Sequence, residues 1–458
     1  MNMKKLKIHF LGASGTVTGS KFYLETEEVK ILVDCGLFQG IKELRQQNWK
    51  SLPINVSEID YVLLTHGHLD HCGYLPLLVR QGFRGKILGT GPTLEIARII
   101  LEDSAKIQEE EAERANEEHY SKHNPALPLY TKEEAAFALK FFERVEEGDN
   151  LILSDNCSAT FLYNGHIIGS TYIEIDLHGK RFVFSGDVGR QKDELLNAPK
   201  QPEWADYLFV ESTYGDRQHP DEDVGHILTG LVKESLHNKG TLIIPSFAVE
   251  RLQSLMYQLW KLYKKNRIPN IPIFVDSPMG NNVLEVFEQF PSWHKLTLEE
   301  YHNMCNHISI VSSYAETWET IDDPRPKIVI AGSGMVTGGR VLTYIKQLGD
   351  MESTTILLVG FQAEETRGRK LLEGATELKI YGKNIPIKAK VNHLESLSAH
   401  ADQPELLTWM DSIKNIPEKV FLVHGEKDAM ETYKDKIHEK LGWNCHIPMM
   451  HEVVEILL

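Results

Sequence analysis

Seven residues, Thr65-His66-Gly67-His68-Leu69-Asp70-His71, follow directly on the apolar stretch Tyr61–Leu64. Three imidazoles and a carboxylate crowded behind one short strand are a dense set of metal-ligand types, which exposed polar loops seldom collect. A tight loop at a strand end can turn alternate side chains toward two different metal positions, and imidazole with carboxylate suits Zn²⁺ and also Fe or Mn. One such loop cannot complete two sites, so other strand ends must contribute. Asp34 ends ILVD ahead of Gly36, His166 follows FLYNG ahead of Gly169, and Asp187 ends RFVFSGD ahead of Gly189. Each is polar, lies at the end of an apolar strand, and has a glycine nearby that lets backbone approach closely. Taken singly each reads equally well as a turn residue, the two aspartates especially. The His-rich loop is what gives them a joint meaning.

Around these residues the chain is β-rich at both ends and different in the middle. Lys7–Leu11, Ser20–Thr26 and Val29–Val33 read as consecutive strands around the loop GASGTVTG. A helix is expected from about Leu75 to Gln81 and a longer one over Thr93–Glu118. The two prolines of His123–Tyr130 break the pattern, and a helix follows over Lys132–Val145 before strands resume at Leu151. After about Thr213, TLIIPSFAVERLQSLMYQLWKLYKK, PIFVDSPMGNNVLEVFEQF and KIVIAGSGMVTGGRVLTYIKQL each run from apolar strand through loop to amphipathic helix. That alternation predicts a parallel sheet covered by helices. From about Ala375 the segments are again short and β-rich. The expected organisation is an α/β insert, residues 213–373, interrupting a β-rich domain made of residues 1–212 and 374–458.

Composition excludes some classes. No run of about 18 apolar residues is present, so no membrane span is expected, and Met1–Phe10 lacks the apolar stretch of a signal peptide. Five cysteines without a CxxC pair suggest reduced thiols and a cytosolic setting, with any metal held by His and carboxylates. The net charge of −16 argues mildly against nucleic acid, but part of the acid sits in Glu109–Glu118, a solvated helix face, and a local basic groove is compatible with it.

The order of an early Asp, HxHxDH, a distant His and a distant Asp resembles the metallo-β-lactamase superfamily. Glu211 in VESTYGDR, His400 in SAHAD and His424 in HGE resemble the three further motifs of its β-CASP nucleases, and PSFAVERLQ, DSPMG, AGSGMVTGGR and VGFQAEETRGR extend the resemblance over nearly the whole chain. It implies an αββα metallo-β-lactamase sandwich with an inserted parallel α/β β-CASP domain covering the metal cleft. His66, His68 and His166 would hold one zinc, Asp70, His71 and His424 the other, and Asp187 would bridge them. Asp34 would orient ligands from behind. The catalytic set would be Asp70, His400 and Glu211, with His400 as proton donor to the leaving 3′ oxygen and Glu211 stabilising its charged form.

The implied reaction is two-metal hydrolysis of single-stranded RNA to 5′-phosphate and 3′-hydroxyl ends. His424 stands where the DNA-repair members carry an apolar residue, which favours RNA over DNA. Phosphate or RNA contacts are expected from Ser398, Ser333, Gly334 and Arg367, with Arg251, Arg340 and Arg369 as further candidates for an RNA groove. Gly332, Arg367 and Leu397 depart from the commonest family residues. The chain resembles the short bacterial form, for which a homodimer is compatible. A small-molecule metallo-hydrolase, a DNA nuclease and a non-catalytic RNA-binding subunit remain alternatives. The first would not need His400 with Glu211, and the last would have lost ligands.

Overall fold

A computed structural model describes residues 4–119 and 123–458. They fall into two compact units, one of the residues up to Gln218 with His400–Leu458, the other of His219–Ala399.

The first unit is built on two seven-stranded sheets. One runs in the order Val453–Leu457, Lys5–Phe10, Phe22–Glu25, Lys30–Val33, Tyr61–Leu63, Lys86–Thr90, Phe142–Val145. The other runs Cys445–His446, Lys419–Val423, Tyr207–Glu211, Lys180–Phe184, Thr171–Leu177, Cys157–Tyr163, Asn150–Ser154. Strand Lys5–Phe10 shows the reason: Leu6, Ile8 and Phe10 are buried while Lys5 and Lys7 are exposed, so period-2 patterning gives each strand one core face. The two inner faces meet in a single core. Its centre is a set of phenylalanines, with Phe184 and Phe209 stacked at 4.1 Å, Phe209 and Phe421 at 4.7 Å, and Phe10 against Phe421 at 5.1 Å. Outside the second sheet, helices Gln403–Met410 and Lys427–Leu441 bury Trp409, Met410, Met430, Tyr433 and Ile437. Tyr207–Glu211 is therefore buried on both faces and reads as a continuous apolar run.

Strand direction positions the site. Lys30–Val33 is parallel to Tyr61–Leu63, and Lys180–Phe184, Tyr207–Glu211 and Lys419–Val423 are parallel to one another. Cys157–Tyr163 is antiparallel to Thr171–Leu177, which is antiparallel to Lys180–Phe184. Within each sheet, then, the residues singled out above lie at the same ends of strands that run the same way.

The second unit holds a six-stranded sheet in the order Ser309–Ile310, Ile273–Asp276, Lys327–Ala331, Thr241–Pro245, Thr355–Val359, Lys390–Leu394, with every pair parallel. The near-continuous apolar strands are flanked by amphipathic helices such as Val224–His237, Arg251–Lys264 and Val341–Leu348.

Two expectations are corrected. The helix expected over Lys132–Val145 stops at Ala138, and Phe142–Val145 is an edge strand pairing parallel with Ile87–Thr90. The insert does not end at residue 373. Lys390–Leu394 pairs with Thr355–Val359, and Leu378, Ile380, Ile387 and Ala389 pack into the core of the second unit, which spans 219–399 rather than 213–373. Short β-rich segments look alike in sequence whichever sheet they join, because pairing is decided by distant partners.

Candidate metal centre

The His-rich loop is held from behind by Asp34. The Asp34 carboxylate accepts from Thr65 N at 2.8 Å and from Thr65 Oγ1 at 2.8 Å, and its Oδ2 lies 2.8 Å from His71 Nδ1. Asp34 does this from a left-handed backbone conformation, φ 58°. Main-chain bonds from Cys35 N to His71 O and from Leu37 N to Leu69 O fasten the two segments together. Gly36 permits this contact, since a Cβ there would lie 1.5 Å from the Asp70 carbonyl oxygen.

Two groups of atoms able to hold a metal result. In the first, His68 Nδ1 lies 3.1 Å from His66 Nε2 and 3.2 Å from His166 Nε2, and Asp187 Oδ2 lies 3.5 and 3.6 Å from the latter two. In the second, His71 Nε2 and His424 Nε2 are 3.2 Å apart and Asp70 Oδ2 is 3.3 Å from His424 Nε2. Asp187 also belongs here through Oδ1, at 3.3 Å from His71 Nε2 and 3.6 Å from His424 Nδ1. The carboxylate of Asp187 thus presents one oxygen to each group.

These distances fit a metal. Ligand nitrogens about 2.0–2.1 Å from a tetrahedral ion stand roughly 3.3–3.4 Å apart. Imidazole nitrogens facing one another in a buried space leave lone pairs opposed unless a cation or proton lies between them. Asp187 Oδ1 is likewise buried without a hydrogen bond, an arrangement that coordination would satisfy. The protonation tendencies of His66 and His68 agree. Burial holds the His66 pKa well below the usual imidazole range, and burial brings His68 down to about 4, so both favour the neutral form that ligates. At His71 burial opposes the charge, but Asp187 and Asp34 hold the pKa well above its usual value. Burial also works against the Asp187 carboxylate, yet His424, His71 and His66 keep its pKa well below the carboxylate range.

Beside the ligand atoms stands His400. Its Nδ1 is 3.2 Å from Glu211 Oε2 and its Nε2 is 4.0 Å from Asp187 Oδ2. Glu211 is fully buried, and its Oε1 accepts from Val188 N at 2.6 Å. Burial disfavours the imidazolium of His400, but the Glu211 charge and hydrogen bond outweigh it, and the protein's own charges bring the pKa up to about 9.

Two contributors escaped the sequence analysis. Thr213 Oγ1 lies 3.2 Å from His424 Nδ1, the nitrogen turned away from His71 and Asp70. Asn164 Nδ2 donates to Ser185 O and Asp187 O at 2.6 Å each, bracing the turn that carries Asp187. Thr213 lies within the quoted VESTYGDR motif and Asn164 within FLYNG, but neither residue type announces that role.

The remaining expected residues lie in the second unit. Ser333 Oγ accepts from Thr337 N and Gly338 N, so part of the glycine-rich loop's N–H array is spent on its own serine. Gly334 O accepts from Gln362 Nε2, and a Cβ on Gly334 would strike the Phe247 ring. Arg367 donates to the carbonyls of Lys379, Val336 and Thr337. Ser398 is buried. Of the other arginines, Arg251 is buried and donates to Val359 O, Arg340 pairs with the buried Asp276, and Arg369 pairs with Glu373.

Comparison with known proteins agrees with this architecture. Residues 15–224 match the profile of the metallo-beta-lactamase superfamily, residues 252–371 that of the Beta-Casp domain, and residues 384–448 that of the Zn-dependent metallo-hydrolase RNA specificity domain. Ribonuclease TTHA0252 of Thermus thermophilus is 32% identical over 93% of this chain and 94% of its own length. The RNase J-like protein of Methanocaldococcus jannaschii is 28% identical over 99% and 100%, and the transcription termination factor FttA of the same organism is 28% identical over 98% of this chain and 72% of its own. In fold alone, a crystal structure of a protein of unknown function from Enterococcus faecalis V583 covers 99% of this chain and 100% of its own, with a TM-score of 0.53 at 12% identity. Among the described residues no helix is long and apolar enough to cross a membrane. The chain is a metal-binding hydrolase that belongs to the β-CASP group of the metallo-β-lactamase superfamily.

Proposed function

We propose that this protein is a two-zinc ribonuclease that hydrolyses phosphodiester bonds of single-stranded RNA and leaves 5′-phosphate and 3′-hydroxyl ends. The observation that carries the reading is the juxtaposition of two groups of candidate ligand atoms, both reached by the Asp187 carboxylate, with a histidine whose far nitrogen rests on a buried glutamate. His66, His68 and His166 would hold one ion and Asp70, His71 and His424 the other. When bound, two divalent ions would supply charge to clamp a phosphate and lower the pKa of water toward neutral pH; zinc fits the imidazole-rich donor set, and Mn²⁺ or Fe suits it as well. Asp34 holds His71 in orientation. Glu211 keeps His400 Nδ1 protonated, so a proton carried at Nε2 faces the ligand groups and can be given to the leaving 3′ oxygen. The names of the relatives, ribonuclease and RNase J-like protein, and the RNA specificity profile support RNA as substrate.

The test is digestion of matched 5′-labelled single-stranded RNA and DNA by zinc-loaded protein, with the product ends analysed. RNA cleavage to 5′-phosphate and 3′-hydroxyl ends is expected. Ends carrying 2′,3′-cyclic phosphate would overturn the mechanism, because the ribose hydroxyl would then be the nucleophile. Preferential cleavage of the DNA would make it a DNA nuclease, and thioester turnover without RNA cleavage a small-molecule hydrolase.

A further inference from the structure

The loop Gln39–Lys50 is an ordered part of the first unit that builds none of its core. Its helical turn Lys42–Gln47 buries no side chain. Its ends are fastened instead. The Asn48 carboxamide takes both main-chain groups of Phe38, accepting from Phe38 N at 2.9 Å and donating to Phe38 O at 2.8 Å, and the Tyr74 hydroxyl donates to Lys50 O at 2.8 Å. A compact loop with pinned ends is a common place for function, because the chain has been ordered without gaining apolar burial.

What the loop displays is specific. Trp49 is 60% exposed, and Ile41 on the same loop is also exposed. Tryptophan is among the residues most buried on average, so a bare indole on an anchored loop asks for a partner. Lys42, Arg45 and Lys50 stand against a single acid, Glu43, which makes the loop net positive in a chain of net charge −16. The root of the loop lies against the metal-ligand segment, through the bonds of Cys35 N to His71 O and Leu37 N to Leu69 O and the close pass of Gly36 over the Asp70 carbonyl. Lys21, fully buried, donates to Gly19 O and Gly36 O and holds that root in place.

We infer that the Gln39–Lys50 loop grips single-stranded RNA, with Trp49 as a stacking platform for a base and Lys42, Arg45 and Lys50 as contacts to its phosphates. The inference rests on the ribonuclease reading. An aromatic face interleaved with cations matches a single strand, which offers exposed base faces along an anionic backbone. A folded protein partner would call for an apolar centre depleted of charge, whereas three cations and the amides of Gln39, Gln46 and Gln47 share this loop with the tryptophan.

The experiment compares wild type, Trp49→Ala, Trp49→Phe and the double variant Lys42→Gln/Arg45→Gln, each zinc-loaded, on a labelled single-stranded RNA of about twenty nucleotides and on bis(p-nitrophenyl) phosphate, with bound zinc measured in parallel. Trp49→Ala should raise KM for the RNA about 5- to 50-fold, as expected for a lost base–aromatic stack, and Trp49→Phe should recover most of it. The double variant should flatten the dependence of RNA KM on salt. The effect on RNA should exceed that on the small diester several-fold. An RNA KM within twofold of wild type in Trp49→Ala overturns the grip while leaving the nuclease reading intact. Equal losses on both substrates, or lost zinc, overturn it by making the loop a structural support. If wild-type protein turns over the small diester but neither binds nor cuts RNA, the substrate reading itself fails, and this inference with it.

Discussion

His400 is the residue on which the proposed chemistry turns, because it is a titratable side chain beside the two candidate ligand groups whose far nitrogen, Nδ1, is taken by a buried carboxylate. If it donates the proton, His400→Ala should lower kcat on RNA by about 10²–10⁴-fold with bound zinc retained; zinc lost in proportion to activity would make it a support for the ligands. The pH dependence has a definite sign. A general acid works in its protonated form, and the protein's own charges raise the His400 pKa to about 9, so activity is present below that pKa and falls as pH rises through it. Glu211→Gln removes the charge that most raises it, so the alkaline limb of the kcat/KM profile should move to lower pH; an unmoved limb would assign it to another group. Thr213 makes a second prediction. An N–H on His424 Nδ1 donated to Thr213 Oγ1 leaves Nε2 with its lone pair toward His71 and Asp70. Thr213→Val should weaken zinc binding about 10–100-fold, and Thr213→Ser should restore it, as measured by competition with a chelating dye. Equal affinities in both variants would remove Thr213 from the site.

At the level of elements, the site is a set of strand ends held in contact by loops that pass one another closely at glycines. Gly36 passes over the Asp70 carbonyl at a distance no side chain can share, and Gly67 presses the His-rich loop onto helix Gly91–Glu117, where a Cβ would meet Ile96 and the main chain of Ala97. Gly36→Ala must therefore push the Asp34 and Asp70 segments apart. The expected cost is about 3 kcal/mol or more, read from denaturant unfolding, with zinc affinity reduced as well; a fully stable variant with normal zinc binding would show that the contact is not needed. The same logic explains Lys21. A buried ammonium is tolerated there because two carbonyls accept from it and the rings of Phe38 and Tyr74 lie 4.3 and 5.3 Å away, although burial still lowers its pKa to about 8. Sequence patterning reveals such elements well when they are long and periodic, as with helix Arg251–Lys264. It fails at Phe142–Val145, where an edge strand with two exposed positions follows a helix without a breaker between them.

For the whole molecule, ligand binding should be felt as stability. Metal bound to the folded state alone stabilises it by mass action, about 4 kcal/mol at a thousandfold excess over the dissociation constant. Zinc added to chelator-treated protein should raise the unfolding transition of the unit made of the residues up to Gln218 and His400–Leu458, followed by calorimetry, and chelation should lower it again. A transition that ignores zinc would count against the ligand set. Whatever is local could be read from the order of residues: the HxHxDH loop behind its strand, the apolar strands leading to Asp34, His166 and Asp187, and the β/α alternation of the middle segment, because side-chain type and period are properties of neighbours along the chain. Three-dimensional packing was needed to place Lys390–Leu394 in the parallel sheet, to bury Arg251 and pair Arg340 with Asp276, and to set Thr213 and Asn164 against His424 and Asp187. Those outcomes depend on which distant backbone a strand pairs with and which buried polar group meets another, and no periodicity in one segment encodes a partner two hundred residues away.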